Sequence, residues 1–488
     1  MMQYLDRLTS RITMYRLMVY VLLGLAGYAM LLGVFDLVQF DPFAMAWGLI
    51  VLVAASLGVN YAFAYIYGVR RNTESALITA LILFFIFSPP TSSLSSLIIL
   101  ALVAIIAGAS KYLLALRGRH IFNPAAIAAV ISGVIGLRYA SWWVATSALI
   151  IPTLLLGVLM LYKTRRLKMG VIFVSVSVIT LLVTSATKGY DMASVLSLMT
   201  NSWPVFFFAG FMFSEPLTLP PRRYQRIILA IGVGVLMAAG LKVGGVLISP
   251  EIALVIGNVY AFFCGQRGGI RLKLVGRKQL SRDQVEYIFE PTRNLRFMPG
   301  QYIEIQLPHV HADRRGMRRM FTIASAPGEK LIKIATRHYQ PSSTFKKALQ
   351  RLPVGATLSA TGIYGDFLLP HNEEKKVLFI AGGIGITPFK AQLEWLLQQG
   401  QTRDGILLYS VRESSDAIYD DILFAKEHGV KTHILTGPID ENVLASHVSD
   451  IHERHVYVSG PPAMVDALCA SARRSGAKKV NRDYFTGY

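Results

Sequence analysis

The sequence predicts a polytopic α-helical membrane domain followed by a small β-barrel domain and a doubly wound α/β domain. Three observations carry this. Long apolar stretches crowd into residues 15–264, short alternating β runs follow, and strands then alternate with helices to the C-terminus. Of 488 residues, 53% are hydrophobic and 16% charged, whereas a soluble chain carries ~25% charged residues. That composition fits neither a disordered chain nor a single soluble globule. Lys and Arg number 49 against 29 Asp and Glu, a net charge of +20, which suits nucleic acid or a membrane surface. The two cysteines, Cys264 and Cys469, are too few for a structural zinc site, a disulfide framework or an iron–sulfur cluster from this chain alone.

A membrane span takes about 20 apolar residues, fewer where a helix is broken. On that measure residues 1–265 hold ten helices, over about 15–38, 44–67, 75–88, 93–114, 121–137, 141–162, 170–187, 200–219, 226–248 and 250–264. Loop charge orients them. With the N-terminus inside, inner segments include Arg70, Arg71, Lys111, Arg119, Lys163, Arg165, Arg166, Arg222 and Arg223. The outer loops carry Arg138, Lys188 and Lys242 alone. Ten crossings return the chain inside. The expectation is a multi-pass protein of the cell (inner) membrane, with the N-terminus and the C-terminal module cytoplasmic. Inner loops facing membrane lipid then account for much of the positive charge, and nucleic acid is not an expected partner.

Proline breaks recur at nearly equal intervals: Ser88-Pro89-Pro90 against Ser214-Glu215-Pro216, and Asn123-Pro124 against Ser249-Pro250. Five helices per copy would make these inverted repeats, which commonly enclose a midplane site at broken helices; prolines gathering at helix ends by chance give the same pattern. Ionisable groups inside a bilayer read as functional by default. Glu215 is therefore a candidate residue here, and Asn123 is the second, because its amide and the backbone groups freed at the proline break can bind a polar ring system. Glu215 suits cation coordination, a hydrogen bond to flavin, or an interfacial pair with Arg222 or Arg223.

Residues 266–372 form the expected barrel, with β runs at Val285–Glu290, Tyr302–Leu307, Phe321–Ala324, Leu331–Thr336 and Leu358–Ala360. Period-2 alternation puts Arg319, Phe321 and Ile323 on one strand face and Met320 and Thr322 on the other. A guanidinium grips a diphosphate bidentately, an aromatic ring offers a flat surface to a tricyclic cofactor, and the Thr322 hydroxyl suits a flavin ring nitrogen. Ser342-Ser343-Thr344 precedes an amphipathic helix, whose free N–H groups favour phosphate. Gly362 and Gly365 permit close backbone approach. Each piece alone reads equally as a surface strand or an N-cap.

Residues 373–488 form the nucleotide domain. The buried run Val377–Ala381 enters Gly382-Gly383-Ile384-Gly385-Ile386-Thr387-Pro388 and a helix, with Pro388 placed for its first turn. Such a helix start favours pyrophosphate. A later β run, His455–Ser459, enters Gly460-Pro461-Pro462 and a further helix. This is not the G-x-G-x-x-G fingerprint, so spacing supports a nucleotide domain and no more.

In order, Arg319–Ser325 (RMFTIAS), Ser342–Thr344, Gly362–Phe367 (GIYGDF), Gly382–Pro388, Ser459–Pro462 and a terminal aromatic segment resemble the ferredoxin–NADP reductase family. Met298-Pro299-Gly300-Gln301-Tyr302 is similar to that family's turn into its second barrel strand. The resemblance implies FAD phosphates at Arg319, flavin packing at Phe321, Thr322 near flavin N5, and Ile323, Gly362 and Gly365 within the cofactor site. It implies pyrophosphate at Ser343 and Thr344. The nicotinamide nucleotide would lie at Gly382, Gly383, Gly385, Thr387, Pro388, Gly460 and Pro461, with Tyr484 and Phe485 flanking the flavin. Thr322 and Ser459 are the expected catalytic positions. The family usually has Cys where Ser459 stands; hydride transfer needs no protein nucleophile, so Ser459 is expected to slow turnover without abolishing it. Glu413 and Asp416 oppose the 2′-phosphate that Arg412 would attract, which slightly favours NADH over NADPH.

Most of residues 70–265 is similar to the membrane subunit shared by the sodium-pumping NADH:quinone oxidoreductase and Rnf electron-transport complexes (NqrB/RnfD). The likeness runs through Thr79-Ala80-Leu81 with Pro89-Pro90, His120-Ile121-Phe122-Asn123-Pro124-Ala125, and Phe208–Pro216. The usual Thr-Asp-Pro is Ser214-Glu215-Pro216 here. Members often carry covalent FMN on a Ser/Thr-Gly-Ala-Thr motif between helices 5 and 6. That connection, Gly136–Ser141, has none, and Ser185-Ala186-Thr187 lacks the glycine. Covalent FMN is not expected, whereas non-covalent FMN or riboflavin, or a quinone, suits the broken helices. Only His120 precedes His309, so the four axial ligands of two stacked haems are missing and haem is not expected. The expected function is a membrane-bound flavoprotein oxidoreductase passing electrons from NAD(P)H through FAD to a membrane-domain flavin or quinone, and on to an acceptor. The alternatives are a redox-driven Na⁺ or H⁺ transporter, or a membrane-anchored reductase subunit serving soluble partners or other electron-transfer subunits.

Overall fold

The structure, a computed structural model, describes residues 12–69, 71–91, 93–116, 119–265, 269–310, 312–313, 316–338 and 341–483. Its contacts divide the chain into two compact units, one ending at Gly268 and one beginning at Gly269.

The N-terminal unit is helical: α1 (Met14–Val34), α2 (Pro42–Ile66), α3 (Thr73–Ile86), α4 (Leu94–Leu113), α5 (Pro124–Val134), α6 (Ser147–Lys163), α7 (Leu167–Thr187), α8 (Met192–Asn201), α9 (Val205–Phe207) running into a π-helical turn (Phe208–Met212), α10 (Arg223–Ala238) and α11 (Pro250–Cys264). A two-stranded hairpin precedes α5 (β1 Ala115–Leu116, β2 Arg119–His120), and another precedes α11 (β3 Lys242–Val243, β4 Val246–Leu247). Helix starts follow capping chemistry. Thr13, Asp41, Asn72, Ser93, Asn123 and Asp191 each accept a first-turn amide, and proline opens α2, α5 and α11.

Ten full-length spans are not what forms among the described residues. Helices α1, α2, α4 and α7 are long and apolar enough to cross a membrane. Helix α8 and Val205–Met212, bent by 48°, make a fifth if taken together. Helices α3, α5, α6 and α11 are apolar but shorter. The expected helix over 200–219 is this bent pair instead, broken where Pro204 removes a donor and ended before Pro216. The helix expected to reach residue 248 stops at Ala238, because Gly240, Gly244 and Gly245 adopt positive φ and turn the chain into β3 and β4.

The C-terminal unit opens with β5 (Ile270–Ser281), β6 (Gln284–Pro291), β7 (Tyr302–Gln306), β8 (Arg318–Thr322), β9 (Ile332–Arg337), α12 (Thr344–Arg351) and β10 (Thr357–Tyr364). These strands form an antiparallel sheet in the order β8-β7-β10-β5-β6-β9. Just past β8, Ala324 donates its N–H to the Lys333 carbonyl of β9 at 2.8 Å, linking the two edges. Alternation sends Leu272, Leu274, Ile303, Ile305, Phe321 and Ile334 into one core.

Then come β11 (Val377–Gly382), α13 (Thr387–Gln399), β12 (Gly405–Val411), α14 (Asp420–Leu423), β13 (Val430–Thr436), α15 (Glu441–His447), β14 (His455–Ser459), α16 (Pro462–Arg474) and β15 (Lys479–Asp483). The sheet is parallel, ordered β13-β12-β11-β14-β15. Val377 to Ala381 are all fully buried, as a central strand covered on both faces requires. The order reverses between β11 and β14, and in such sheets ligands bind beyond the strand ends at that point.

Candidate redox sites

Strand register builds the first site. Thr322 of β8 pairs with Tyr302 of β7, and Tyr302 pairs with Tyr364 of β10. Directly paired residues share a sheet face, so Thr322, Tyr302 and Tyr364 form one row. Their neighbours Phe321, Ile303 and Ile363 turn inward to the barrel core. The Tyr302 and Tyr364 rings lie 6.0 Å apart, and Thr322 Oγ1 donates to Asp483 Oδ2 of β15 at 3.4 Å. Gly365 has φ +118°, and a Cβ there would sit 3.1 Å from the Tyr302 ring. Phe321 packs against Phe345 of α12, ring centres 5.9 Å apart, and Ile323 is fully buried in the same core.

A second corner lies at the start of α12. Ser343 caps the helix, its hydroxyl accepting the Lys346 N–H. The Thr344 hydroxyl accepts the Asp313 N–H at 3.0 Å and meets His309 Nε2 at 3.0 Å. Arg319 lies over the Phe345 ring at 5.1 Å and pairs with Asp313 Oδ1 at 3.3 Å. The two elements expected to hold phosphate are thus brought together, and a carboxylate sits on the guanidinium as a phosphate would. This geometry fits a diphosphate.

At the switch point the turns after β11 and β14 touch. A Cβ on Gly385 would fall 2.4 Å from the Ser459 carbonyl oxygen, and one on Gly382 would meet Met464 and Pro461. Ser459 is buried at the end of β14, and Gly460 Cα lies in contact with Gly385. Gly383 differs. Its φ is +54°, and a Cβ there meets nothing closer than Arg337 Nη1 at 3.8 Å, so this side of the turn is open. Thr387 donates its hydroxyl to the Ile384 carbonyl at 3.1 Å, and Pro388 follows in the first turn of α13. Tyr484 and Phe485 lie outside the described residues.

Sequence reading missed two features here. The Tyr302–Tyr364 row becomes visible only through strand register. Arg337, the last residue of β9 and 8% exposed, bonds through Nε to Asp283 at 2.5 Å and through Nη2 to Asp416 at 3.1 Å. The clamp joins barrel to nucleotide domain beside the Gly383 turn. It also engages Asp416, which the sequence reading placed against a 2′-phosphate. Nearby, Ala326 N–H donates to Glu329 and to Glu394, and Lys390 pairs with Glu394. Burial pushes the Glu394 carboxyl up, against the Lys390 ammonium.

In the N-terminal unit the two Pro-broken segments converge. The π turn places Gly210 against Gly157 of α6, and Ser214 donates its hydroxyl to the Gly210 carbonyl at 2.7 Å. Glu215, extended as a residue before proline must be, accepts from Asn123 Nδ2 at 2.9 Å and contacts His120 Nε2 at 3.1 Å. His120 and Asn123 thus each meet one of its two oxygens. Asn123 also caps α5 with its Oδ1 and donates its own N–H to Asn258 Oδ1 at 2.8 Å. The segments line a cleft with Met14, Ser75 and Thr79 among its other walls. The lining comes from the start of α1, from Ser75, Ile78, Thr79 and Ile82 along α3, from the cap of α5 and from Thr164 just past α6.

Comparison with known proteins now bears on the C-terminal unit. Residues 271–368 match the family model of the oxidoreductase FAD-binding domain, and residues 379–470 that of the oxidoreductase NAD-binding domain. The chain is 26% identical over 220 residues to the reductase component of propane 2-monooxygenase from Mycolicibacterium goodii, covering 41% of this chain and 62% of that one. It is 27% identical over 193 residues to the ferredoxin–NAD(P)(+) reductase component of the naphthalene 1,2-dioxygenase system of Pseudomonas putida, covering 37% and 57%. The chain thus spans about three-fifths of these relatives. Among solved structures, the flavohaem-like FAD/NAD-binding domain of nitric oxide dioxygenase from Vibrio cholerae superposes with a TM-score of 0.39 at 19% identity, covering 44% of this chain and 98% of that one. The C-terminal unit therefore carries FAD-binding and NAD-binding oxidoreductase domains of the ferredoxin reductase type.

Proposed function

We propose that this protein is a membrane-embedded, FAD-dependent NAD(P)H oxidoreductase, NADH slightly favoured, delivering electrons to a quinone or a non-covalent flavin in the cleft of its N-terminal unit. Domains are taken as 1–265 (NqrB/RnfD-like), 266–372 (FAD) and 373–488 (nucleotide). The observation that carries the reading is the presence in one compact unit of the Arg319–Thr344 anion corner, the Thr322–Tyr302–Tyr364 row and the open Gly383 turn. When bound, the nicotinamide supplies a hydride and the flavin divides it into single electrons. Arg319 and the start of α12 would hold the FAD diphosphate, the hydroxyl–aromatic row would face the ring, and the Gly383 turn would admit the nucleotide diphosphate. Asp416 being held by Arg337, Glu413 is the acid at the end of β12 that favours NADH.

For the N-terminal unit, the support is that each hairpin, β1–β2 and β3–β4, leads into a Pro-opened helix, at the two positions where the sequence pairs Asn123-Pro124 with Ser249-Pro250. The test is the purified chain in liposomes. Expected are FAD, NADH oxidation faster than NADPH oxidation, and reduction of added quinone. Gly383→Ala, placed at φ +54° at a strain of about 1–2 kcal/mol, should raise KM for NADH and leave bound FAD intact. A preparation that takes up no FAD, or that ignores both nicotinamides, overturns the reading. Na⁺ or H⁺ uptake during turnover would favour the transporter alternative, and turnover confined to soluble acceptors the anchored reductase.

A further inference from the structure

Resting on the cleft as a quinone site, we propose that His120 and Glu215 form a proton relay into it. Glu215 lines the cleft and His120 does not, so the imidazole stands behind the carboxylate. Their side chains are 12% and 20% exposed, with His120 Nε2 and Glu215 Oε1 3.1 Å apart. His120 ends the short β2 strand just before α5. The second Glu215 oxygen accepts from Asn123 Nδ2, which fixes the carboxylate and cannot itself pass a proton.

Other charged and polar groups surround the pair, and the Lys111 ammonium also acts on the Glu215 carboxylate. Lys111 of α4 donates Nζ to the Ser75 carbonyl at 2.8 Å and to the Ser75 hydroxyl at 3.0 Å. Arg16 of α1 pairs with Glu74 of α3 at 3.1 Å. Asn258 of α11 takes the Asn123 N–H. The His120–Glu215 pair thus links a residue outside the cleft lining to the cleft wall.

The chemistry balances. NADH gives up two electrons and one proton to become NAD⁺, and the quinone takes two electrons and two protons to become the quinol, so one further proton comes from water. Protonated Glu215 passes its proton to a quinone carbonyl oxygen. The His120 imidazolium then reprotonates Glu215 through Nε2, and water recharges His120; the second proton follows the same route.

The experiment uses the full chain in liposomes with a short-chain ubiquinone, and ferricyanide as an acceptor that needs no proton. Glu215→Gln and His120→Ala should each cut quinone reduction about 100-fold, the scale of a lost general acid. NADH–ferricyanide turnover, which bypasses the cleft, should persist. Imidazole in the buffer should restore His120→Ala and leave Glu215→Gln unchanged, an outcome that a structural role for His120 does not produce. Normal quinone reduction in either variant, or failure of imidazole to rescue His120→Ala, overturns the relay. Wild-type protein inert to quinone while active with ferricyanide overturns the quinone reading of the cleft, a result separate from those two.

Discussion

The two units assemble their polar sites by opposite means. In the C-terminal unit the sites are made by backbone: glycine turns after β11 and β14 that touch, a helix start at Ser343, and strand register that aligns Thr322 with two tyrosines. In the N-terminal unit the cleft is made by side chains that bridge distant segments. Asn123 reaches Glu215 across 92 positions and Asn258 across 135. The first kind is encoded locally, since a tight turn demands glycine where it occurs. The second is encoded by which helices pack together, and no short motif specifies that.

If this contrast is right, disturbing a bridging charge inside the C-terminal unit should damage that unit and leave the helices alone. Arg337→Ala is the largest such disturbance. It strands Asp283 and Asp416 beside the Gly383 turn, and breaking a buried pair this way costs about 3–5 kcal/mol. We expect the C-terminal unfolding transition to fall and KM for NADH to rise, with helical circular dichroism of the N-terminal unit preserved. Arg337→Lys should recover part of the stability and less of the KM, because a compact ammonium does not reproduce the planar guanidinium that meets Asp283 and Asp416 from two different nitrogens. An unchanged KM would show that the clamp has no bearing on the nucleotide turn.

Arg319→Ala comes next. A charge-assisted contact to a diphosphate is worth about 1.5–3 kcal/mol, so FAD retention should drop at low added flavin, as read by absorbance of the purified chain. Full retention would remove the anion corner from the flavin site. The N-terminal counterpart is Asn258→Ala, which leaves the buried Asn123 N–H without its acceptor at a cost of about 1–3 kcal/mol. Fluorescence of Trp142 and Trp143, both buried in the N-terminal unit, should report earlier melting of the helices while FAD content holds. Loss of FAD in that variant would blur the division on which the comparison rests.

What could be read from the sequence follows the same division. The glycine turn after β11, the parallel sheet and the cap at Ser343 are legible because each residue type answers a local backbone demand. Asn123 and Glu215 were legible as proline-flanked polar residues, but their meeting was not, nor was His120 as the partner of Glu215. Helix lengths were overestimated because apolar residues continue past the capping turns: Gly240 and Pro204 end helices that hydropathy alone extends. Arg337 was invisible for a related reason. It reads as a surface arginine at a strand end until the β5–β6 turn and the loop after β12 bring Asp283 and Asp416 to it.

The smallest effect separates the units by acid. His428 is buried in the C-terminal unit, where Nδ1 accepts the Val430 N–H at 3.0 Å and Nε2 contacts the Ile422 carbonyl at 2.9 Å. Nε2 must then carry the proton and donate it, so the ring is held neutral, and adding a proton at Nδ1 would break the bond to Val430. Burial lowers the His428 pKa, with the Ile422 contact opposing; burial also lowers those of His338, His433 and His455. A group whose folded pKa lies below its unfolded value of 6.5 binds more protons when unfolded. Its contribution is therefore complete above that value and is lost as pH falls toward the folded pKa. The N-terminal unit has one histidine, His120. Calorimetry from about pH 7 to about pH 5.5, spanning the ordinary histidine range, should thus show the C-terminal transition moving down while the helical transition moves less. His428→Gln should start lower at neutral pH and lose part of that slope. Equal acid sensitivity in both transitions would mean that the buried histidines do not distinguish the two units.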